Sequence, residues 1–291
     1  MIALTFLLVR HCIILTAFRV ESNYTGIFPE HLSNARFLLL LAATLLIAAA
    51  GYIVNDVFDV TSDAVNRPGR NIFEYHLPKN AGYTAFFLLG GAGSLIGFLA
   101  GLNTVQPAIA LLPLFTTVSL WMYSAYYKRR LLTGNFLVAA LSALSVLLPG
   151  LYEPSFYPNI SVLLPFGVFA FLVSLAREII KDMEDVEGDE KMQCRTLPIQ
   201  FGIRTARITV ICILVLTAGA ETWLIHSWFA TSNTVSWWNI AFSFTVPLAG
   251  LVYLVATADE QRDFHFASIY AKLYLLLGML SIFPFWYFFL R

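Results

Sequence analysis

The sequence predicts an all-α, polytopic membrane protein of about nine transmembrane helices carrying an internal repeat. Three observations carry that prediction. Hydrophobic residues make up 58% of the 291 positions and charged ones only 12%, a balance that soluble globular domains do not use. The charges gather in short islands between long uncharged runs, and the same spacing of three aspartates follows two of those runs.

A helix needs about 20 apolar residues to cross a bilayer, and nine runs approach or meet that length. The first, near Ile2 to Phe18, has no cleavage site of small residues and holds Arg10 and His11 in its middle, so it reads as a retained span and not as a signal peptide. The second, near Phe37 to Val54, is the run "FLLLLAATLLIAAAGYIV". In the third, Tyr83 to Leu102, Gly93, Gly97 and Gly101 recur every fourth residue, which suits close helix packing in lipid. The fourth, Val105 to Tyr123, runs into "WMYSAYYKRR"; the fifth and sixth follow at Asn135 to Tyr152 and Ile160 to Ile180. Glu221 lies inside the seventh, Ala206 to Trp228, and an acid within a span is a functional candidate by default. Trp237 to Ala256 and Ser268 to Leu290 complete the set, so that one transmembrane domain occupies residues 1–291.

The three cysteines show neither metal spacing nor pairing, and the five histidines are scattered, so neither a disulfide framework nor a histidine metal site is expected. Of the 18 Lys and Arg residues, 14 fall in the regions joining spans 2 and 3, 4 and 5, 6 and 7, and 8 and 9. The opposite side holds only Arg19, Arg36 and Arg291. The positive-inside rule therefore puts those four regions and the N-terminus in the cytoplasm, and the C-terminus outside.

The second span ends in "NDVFDVTSDAVNRPGRN", where Asp56, Asp59 and Asp63 are spaced by three and four. After the sixth, "SLAREIIKDMEDVEGDEKMQCRTLP" repeats the steps with Asp182, Asp185 and Asp189. At about 100° per residue such offsets keep three carboxylates on one helical face. Carboxylates at a helix C-terminus face the negative end of its dipole, at about 0.3–1 kcal/mol each, and repel one another. Recurrence of an unfavourable arrangement points to bound cations. Carboxylate and amide oxygens suit Mg²⁺, which bridges acids to substrate phosphates. Basic residues follow each triad, Arg67 and Arg70 after the first, Lys191 and Arg195 after the second, and suit a phosphate or diphosphate. A diphosphate met inside a membrane implies a lipid-tailed substrate, and a prenyl diphosphate fits, because metal charge stabilises its departure. Trp121, Tyr123, Tyr126 and Tyr127 read equally as an interfacial belt or as a shield for an allylic cation.

These residues resemble the UbiA superfamily of intramembrane prenyltransferases. Its first motif, N-D-x-x-D-x-x-x-D, is matched by Asn55, Asp56, Asp59 and Asp63, and its second, D-x-x-x-D, by Asp185 and Asp189 with Asp182 upstream. Asn66-Arg67-Pro68, "YYKRR" and "GNFLVAALS" extend the likeness. The resemblance implies a nine-helix bundle around a central cavity capped on the cytoplasmic side by the motif loops, in a cell inner membrane. It makes Asp56, Asp59, Asp63, Asp182, Asp185 and Asp189 candidate Mg²⁺ ligands. Arg67, Lys128 and Lys181 become diphosphate candidates, joined by Arg195, Asn55 and Tyr126. The expected partners are a prenyl diphosphate, a lipophilic acceptor and membrane lipids, with no nucleic acid. The wording "REIIKDMEDVEGDEKMQCRTLP" resembles the branch that alkylates geranylgeranylglyceryl phosphate. The competing acceptor is an aromatic quinone or pigment precursor such as 4-hydroxybenzoate; the competing class is a transporter, against which stand acids at helix ends and not midspan. Family members begin with an amphipathic segment and a polar start to helix one. This chain enters apolar sequence almost directly, so the expectation is a start short of the family's, with Arg10 as a substitute or a bundle-facing residue.

Overall fold

The computed structural model describes residues 1–26, 31–102, 106–229 and 237–287, and every regular element among them is helical. Helix α1 (Ile2–Leu8) passes through a π-helical turn (Val9–Ile14) into α2 (Leu15–Thr25). That helix stops at Gly26, whose φ of 72° is the left-handed conformation glycine adopts without a Cβ clash. Ser33 caps the long α3 (Asn34–Asn66), accepting from the Arg36 N–H at 3.4 Å. Asn71 caps the short α4 (Ile72–Tyr75), and Pro78 precedes α5 (Lys79–Gly101). A 3₁₀ turn (Pro107–Leu111) leads into α6 (Leu112–Ala125), and a second (Tyr127–Arg129) follows it. Then come α7 (Thr133–Leu151), α8 (Leu164–Glu184), the short α9 (Val186–Lys191), and α10 (Leu197–Phe229), which breaks at Gly202 (φ 83°). Helix α11 (Trp237–Thr257), α12 (Gln261–Leu280), started by a reciprocal Glu260–Asp263 capping box, and α13 (Ile282–Phe285) complete the order.

Among the described residues, seven of the nine expected spans are helices long and apolar enough to cross a bilayer. The other two are α8 and α11. Helix α8 carries Arg177, Glu178 and Lys181 in its last turns, and the apolar stretch described for α11 is the shorter Phe244–Thr257. Val105, Leu290 and Arg291, used above to bound spans and orient the chain, lie outside the described residues. Arg177, Lys181 and Lys272, counted above with the connecting regions, belong instead to α8 and α12. The basic excess on that side survives their removal.

Helix α8 is central, packing on α7, α10 and α12. With α10, α11 and α12 it shares a core that includes Ile180, Val210, Leu251 and Ala267. Helix α3 packs most extensively on α5. The glycine stripe makes that approach possible: a Cβ on Gly93 would sit 2.9 Å from the Ala43 carbonyl oxygen of α3, while one on Gly97 would sit 3.4 Å from Ala43 Cβ and 2.5 Å from Pro113 Cγ of α6.

The bundle is pinned at the end where α3 begins. Arg10, in the π-helical turn, is 1% exposed and faces the bundle. Its guanidinium lies 3.2 Å from Glu153 Oε1, donates to Leu32 O at 2.7 Å and Asn34 Oδ1 at 3.0 Å, and stacks 4.3 Å from the Phe37 ring centroid. Glu153 Oε2 accepts from the Leu32 N–H at 2.6 Å. One charge pair thus ties α1, the start of α3 and the segment after α7. Removing one partner of a buried pair strands the other charge, at about 3–5 kcal/mol, whereas an apolar replacement of both is often tolerated. Arg10→Met is therefore expected to lower the thermal unfolding midpoint in detergent sharply, and Arg10→Met with Glu153→Leu to recover most of the loss; a single variant as stable as the parent would remove this pin.

Candidate active site

The C-terminal turns of α3 hold the first acidic group. Asp59 is buried, Asp63 half-buried and Asp56 exposed. Asn55 Nδ2 donates to Asp59 Oδ2 at 2.6 Å, one turn on, and the Lys128 ammonium, delivered by the turn after α6, pairs with the same oxygen. Asn71 Nδ2 donates to Asp63 Oδ2 and to the Asp56 carbonyl, both at 2.8 Å. Burial alone lowers the proton affinity of Lys128, but the Asp59 carboxylate, with Asp189 behind it, outweighs it, and the ammonium is held above the usual lysine range.

The second group departs from the single-face arrangement expected from its spacing. Helix α8 ends at Glu184, Asp185 has non-helical backbone angles (φ −101°, ψ 13°), and Asp189 belongs to α9. Asp182 Oδ2 accepts from Asn135 Nδ2 of α7 at 2.8 Å. Burial raises the Asp185 carboxyl, opposed by Arg67 and Lys181. It raises Asp189, only 4% exposed, to about 6, opposed first by Lys128.

The two groups meet through Asn66 and Arg67. The Asn66 side chain accepts from the Gly188 N–H at 2.9 Å and donates to the Asp185 carbonyl at 3.2 Å. Arg67 Nη2 donates to Glu184 Oε1 at 2.7 Å and Asp185 Oδ1 at 3.1 Å. His265 Nδ1 lies 2.8 Å from the same Glu184 oxygen, so α12 joins the clasp. Burial lowers the Arg67 pKa, but Asp185 and Glu184 more than offset it and hold it raised. Asn71, Asn135, Glu184 and His265 were not singled out from sequence. Glu184 abuts the second motif, but nothing in the local pattern marks His265.

Beside this junction the bundle encloses a cavity of about 480 Å³. Its walls are apolar, with Ile47, Leu120, Leu144, Phe166 and Leu275, and Asn55, Tyr123 and Lys181 reach it at the motif end. Trp121 packs instead against Phe58, Tyr83, Phe86 and Phe87, at centroid distances of 5.6, 5.7, 5.1 and 5.3 Å. Tyr126 is 55% exposed and is not among the lining residues. Arg195 is exposed, its backbone N–H donating to the Arg129 carbonyl at 2.9 Å. Glu221, inside its span, accepts the Tyr274 hydroxyl at 2.7 and 2.8 Å.

Among the described residues no three His, Cys, Asp or Glu side chains converge closely enough to hold a metal ion by themselves. The donor chemistry nonetheless suits a hard divalent cation. The oxygens are carboxylate and amide, and Asn55 Oδ1, beside the Asp59 pair, is buried with no hydrogen-bond partner.

The sequence profile of the UbiA prenyltransferase family matches residues 25–289. The chain belongs to that family. A digeranylgeranylglyceryl phosphate synthase of Methanothermobacter thermautotrophicus is 35% identical over 188 residues, 62% of this chain and 62% of that protein. The chain thus spans about three fifths of the length of that relative. One of the same name from Methanosphaera stadtmanae is 26% identical over 256 residues, 86% of this chain and 88% of that one. The solved UbiA homologue of Aeropyrum pernix superposes with a TM-score of 0.61 at 15% identity, over 96% of both chains. A UbiA homologue of Archaeoglobus fulgidus, solved bound to DMAPP and Mg²⁺, gives 0.57 at 13% identity, over 97% of this chain and 96% of that one.

In this UbiA chain the junction of the acidic ends depends on close approach at Gly188, where a Cβ would lie 2.4 Å from Asn66 Nδ2 and 2.7 Å from Ser62 Oγ. Gly188→Ala is expected to open the Asn66 contacts and destabilise the fold by about 1–3 kcal/mol, read as a lowered unfolding midpoint in detergent. Gly91→Ala, with nothing within 4 Å of the new Cβ, is the control expected to change little.

Proposed function

We propose that this protein transfers a prenyl group from a prenyl diphosphate to a lipophilic acceptor in a Mg²⁺-dependent reaction, and that the acceptor is an alcohol of the geranylgeranylglyceryl phosphate type. One observation carries the reading: two acidic helix ends from distant parts of the chain, clasped through Asn66 and Arg67, stand beside the polar end of an apolar cavity. The names of the relatives support the acceptor class.

In this reading Asp56, Asp59 and Asp63, with Asn55, hold magnesium on one side, and Asp185 and Asp189, with Asp182 upstream, on the other. Magnesium, when bound, neutralises the diphosphate and eases its departure. Lys128 and Lys181 supply point charges to the phosphate oxygens. Arg67 holds Asp185 in place and lends charge to the same head group, while Tyr126 and Arg195 stand at the periphery. The cavity takes the prenyl chain and excludes water from C1, and Tyr123 brings an aromatic ring to that wall. The acceptor hydroxyl forms the new bond to C1 as the bond to diphosphate breaks, and its proton leaves to solvent. The basic excess supports a cytoplasmic orientation of the acidic ends, and the proposed location is a cell inner membrane.

The test is diphosphate release from geranylgeranyl diphosphate by the purified protein, with and without Mg²⁺, offered geranylgeranylglyceryl phosphate or 4-hydroxybenzoate. Magnesium-dependent release with the glyceryl phosphate is expected; prenylation of the benzoate alone would reassign the acceptor, and solute counterflow into liposomes without release would make the protein a transporter. Asp59→Ala and Asp185→Ala are each expected to cut turnover by at least about 100-fold, the scale of losing one group aimed at developing charge, with far smaller effects on unfolding. Normal turnover in both would remove these residues from the site.

A further inference from the structure

Below the acidic clasp the cavity wall carries a second set of charges that the reading above leaves unused. Arg177 lies eight positions before Asp185 on α8, about 12 Å deeper along the axis at 1.5 Å per residue. Lys272 lies on α12, eleven positions past Gln261 and so about 16 Å along that helix. Both line the cavity, with Glu178 and Lys181 between them and the motif end. Ionisable groups are costly inside a membrane and mark substrate paths when they face a cavity.

The obvious local explanation is internal pairing, and it accounts for only part of the charge. Arg177 Nη1 donates to Glu178 Oε1 at 2.8 Å, and Lys181 Nζ lies 3.8 Å from Glu178 Oε2. One carboxylate, Glu178, thus pairs with two cations, Arg177 and Lys181. Arg177 Nε is buried with no hydrogen-bond partner, and Lys272 makes no hydrogen bond or ion pair among the described residues. An unpartnered guanidinium N–H and a free ammonium on one cavity wall call for an anion with several acceptor oxygens. The diphosphate has its own cations at the acidic clasp, Lys128 above all, and Arg177 stands about one turn deeper than Lys181 along α8.

We propose that Arg177 and Lys272 form a separate anion subsite that receives the phosphate monoester of the acceptor lipid, so that the acceptor is selected by its phosphate. This inference rests on the prenyl-transfer reading for its donor. In the arrangement, Arg177 offers its unpaired Nε–H to one phosphate oxygen and Lys272 a point charge to another. The acceptor's tail and the prenyl chain share the apolar part of the cavity.

The experiment measures KM for geranylgeranyl diphosphate, for geranylgeranylglyceryl phosphate and for the dephosphorylated alcohol, in the parent protein and in Arg177→Gln and Lys272→Gln. It also measures equilibrium binding of the two acceptors without donor. Each variant is expected to raise KM for the phosphorylated acceptor by at least about tenfold while KM for the donor stays within about twofold. The parent's preference for phosphate over alcohol should shrink in both assays, and Lys272→Arg should retain it. Weaker donor binding instead would assign these cations to the diphosphate and overturn the proposal. Equal binding of the two acceptors by the parent would also overturn it. The binding assay needs no turnover, so failure of the transferase reading shows as absent diphosphate release and is told apart from failure of the subsite. Lys272→Gln alters an exposed side chain, which keeps the test open should Arg177→Gln fail to fold.

Discussion

The interaction on which the rest depends is the clasp between the end of α3 and the break after α8. Asn66 satisfies the Gly188 N–H at the start of α9 and adds a second bond to the Asp185 carbonyl, which also accepts from the Asp189 N–H at 3.0 Å. Arg67 then neutralises Glu184 and Asp185. Without these bonds, bringing the two acidic groups together would concentrate like charges in a partly buried space. With them, the repulsion is divided among fixed cations: Arg67 on one side and Lys128 on the other.

The clasp has a counterpart at the far end of the bundle. Arg10 and Glu153 tie α1 to the start of α3, so α3 is held at both ends, with the cavity alongside it. Side chains that need company lie at the two ends, and the middle is apolar. Between them the small residues of α5 let α3 approach closely, which leaves the space on its other flank, toward α6, α7 and α8, for a ligand. This division follows from the solvent: in lipid, a charge is tolerated where it pairs or meets water.

Arg177 and Lys272 make the exception that defines the cavity as a binding space. They stand on its wall with more positive charge than Glu178 balances. A wholly apolar tunnel would suit a prenyl tail; this one suits a tail that arrives with an anionic head of its own.

Helix-forming runs, the glycine stripe and the Asp56, Asp59 and Asp63 face were legible in the sequence, because each depends only on residues within a few turns of one another. The repeated motif marked the acidic ends for the same reason. Local spacing could not report that α8 stops before Asp185, where the backbone carbonyl accepts from Asn66, more than a hundred residues away. Nor could it find His265 on Glu184 or Asn135 on Asp182. It placed Tyr126 and Arg195 with the site by sequence proximity, while packing turned both toward the exterior. Lys272 read as a connecting-loop cation until α12 carried it into the cavity wall. The sequence by itself determined which segments are helical and apolar and which helix ends are acidic, since periodicity and hydropathy are local. Only the tertiary structure decided which ends meet and which charges face the cavity, because partners so distant along the chain are chosen by packing.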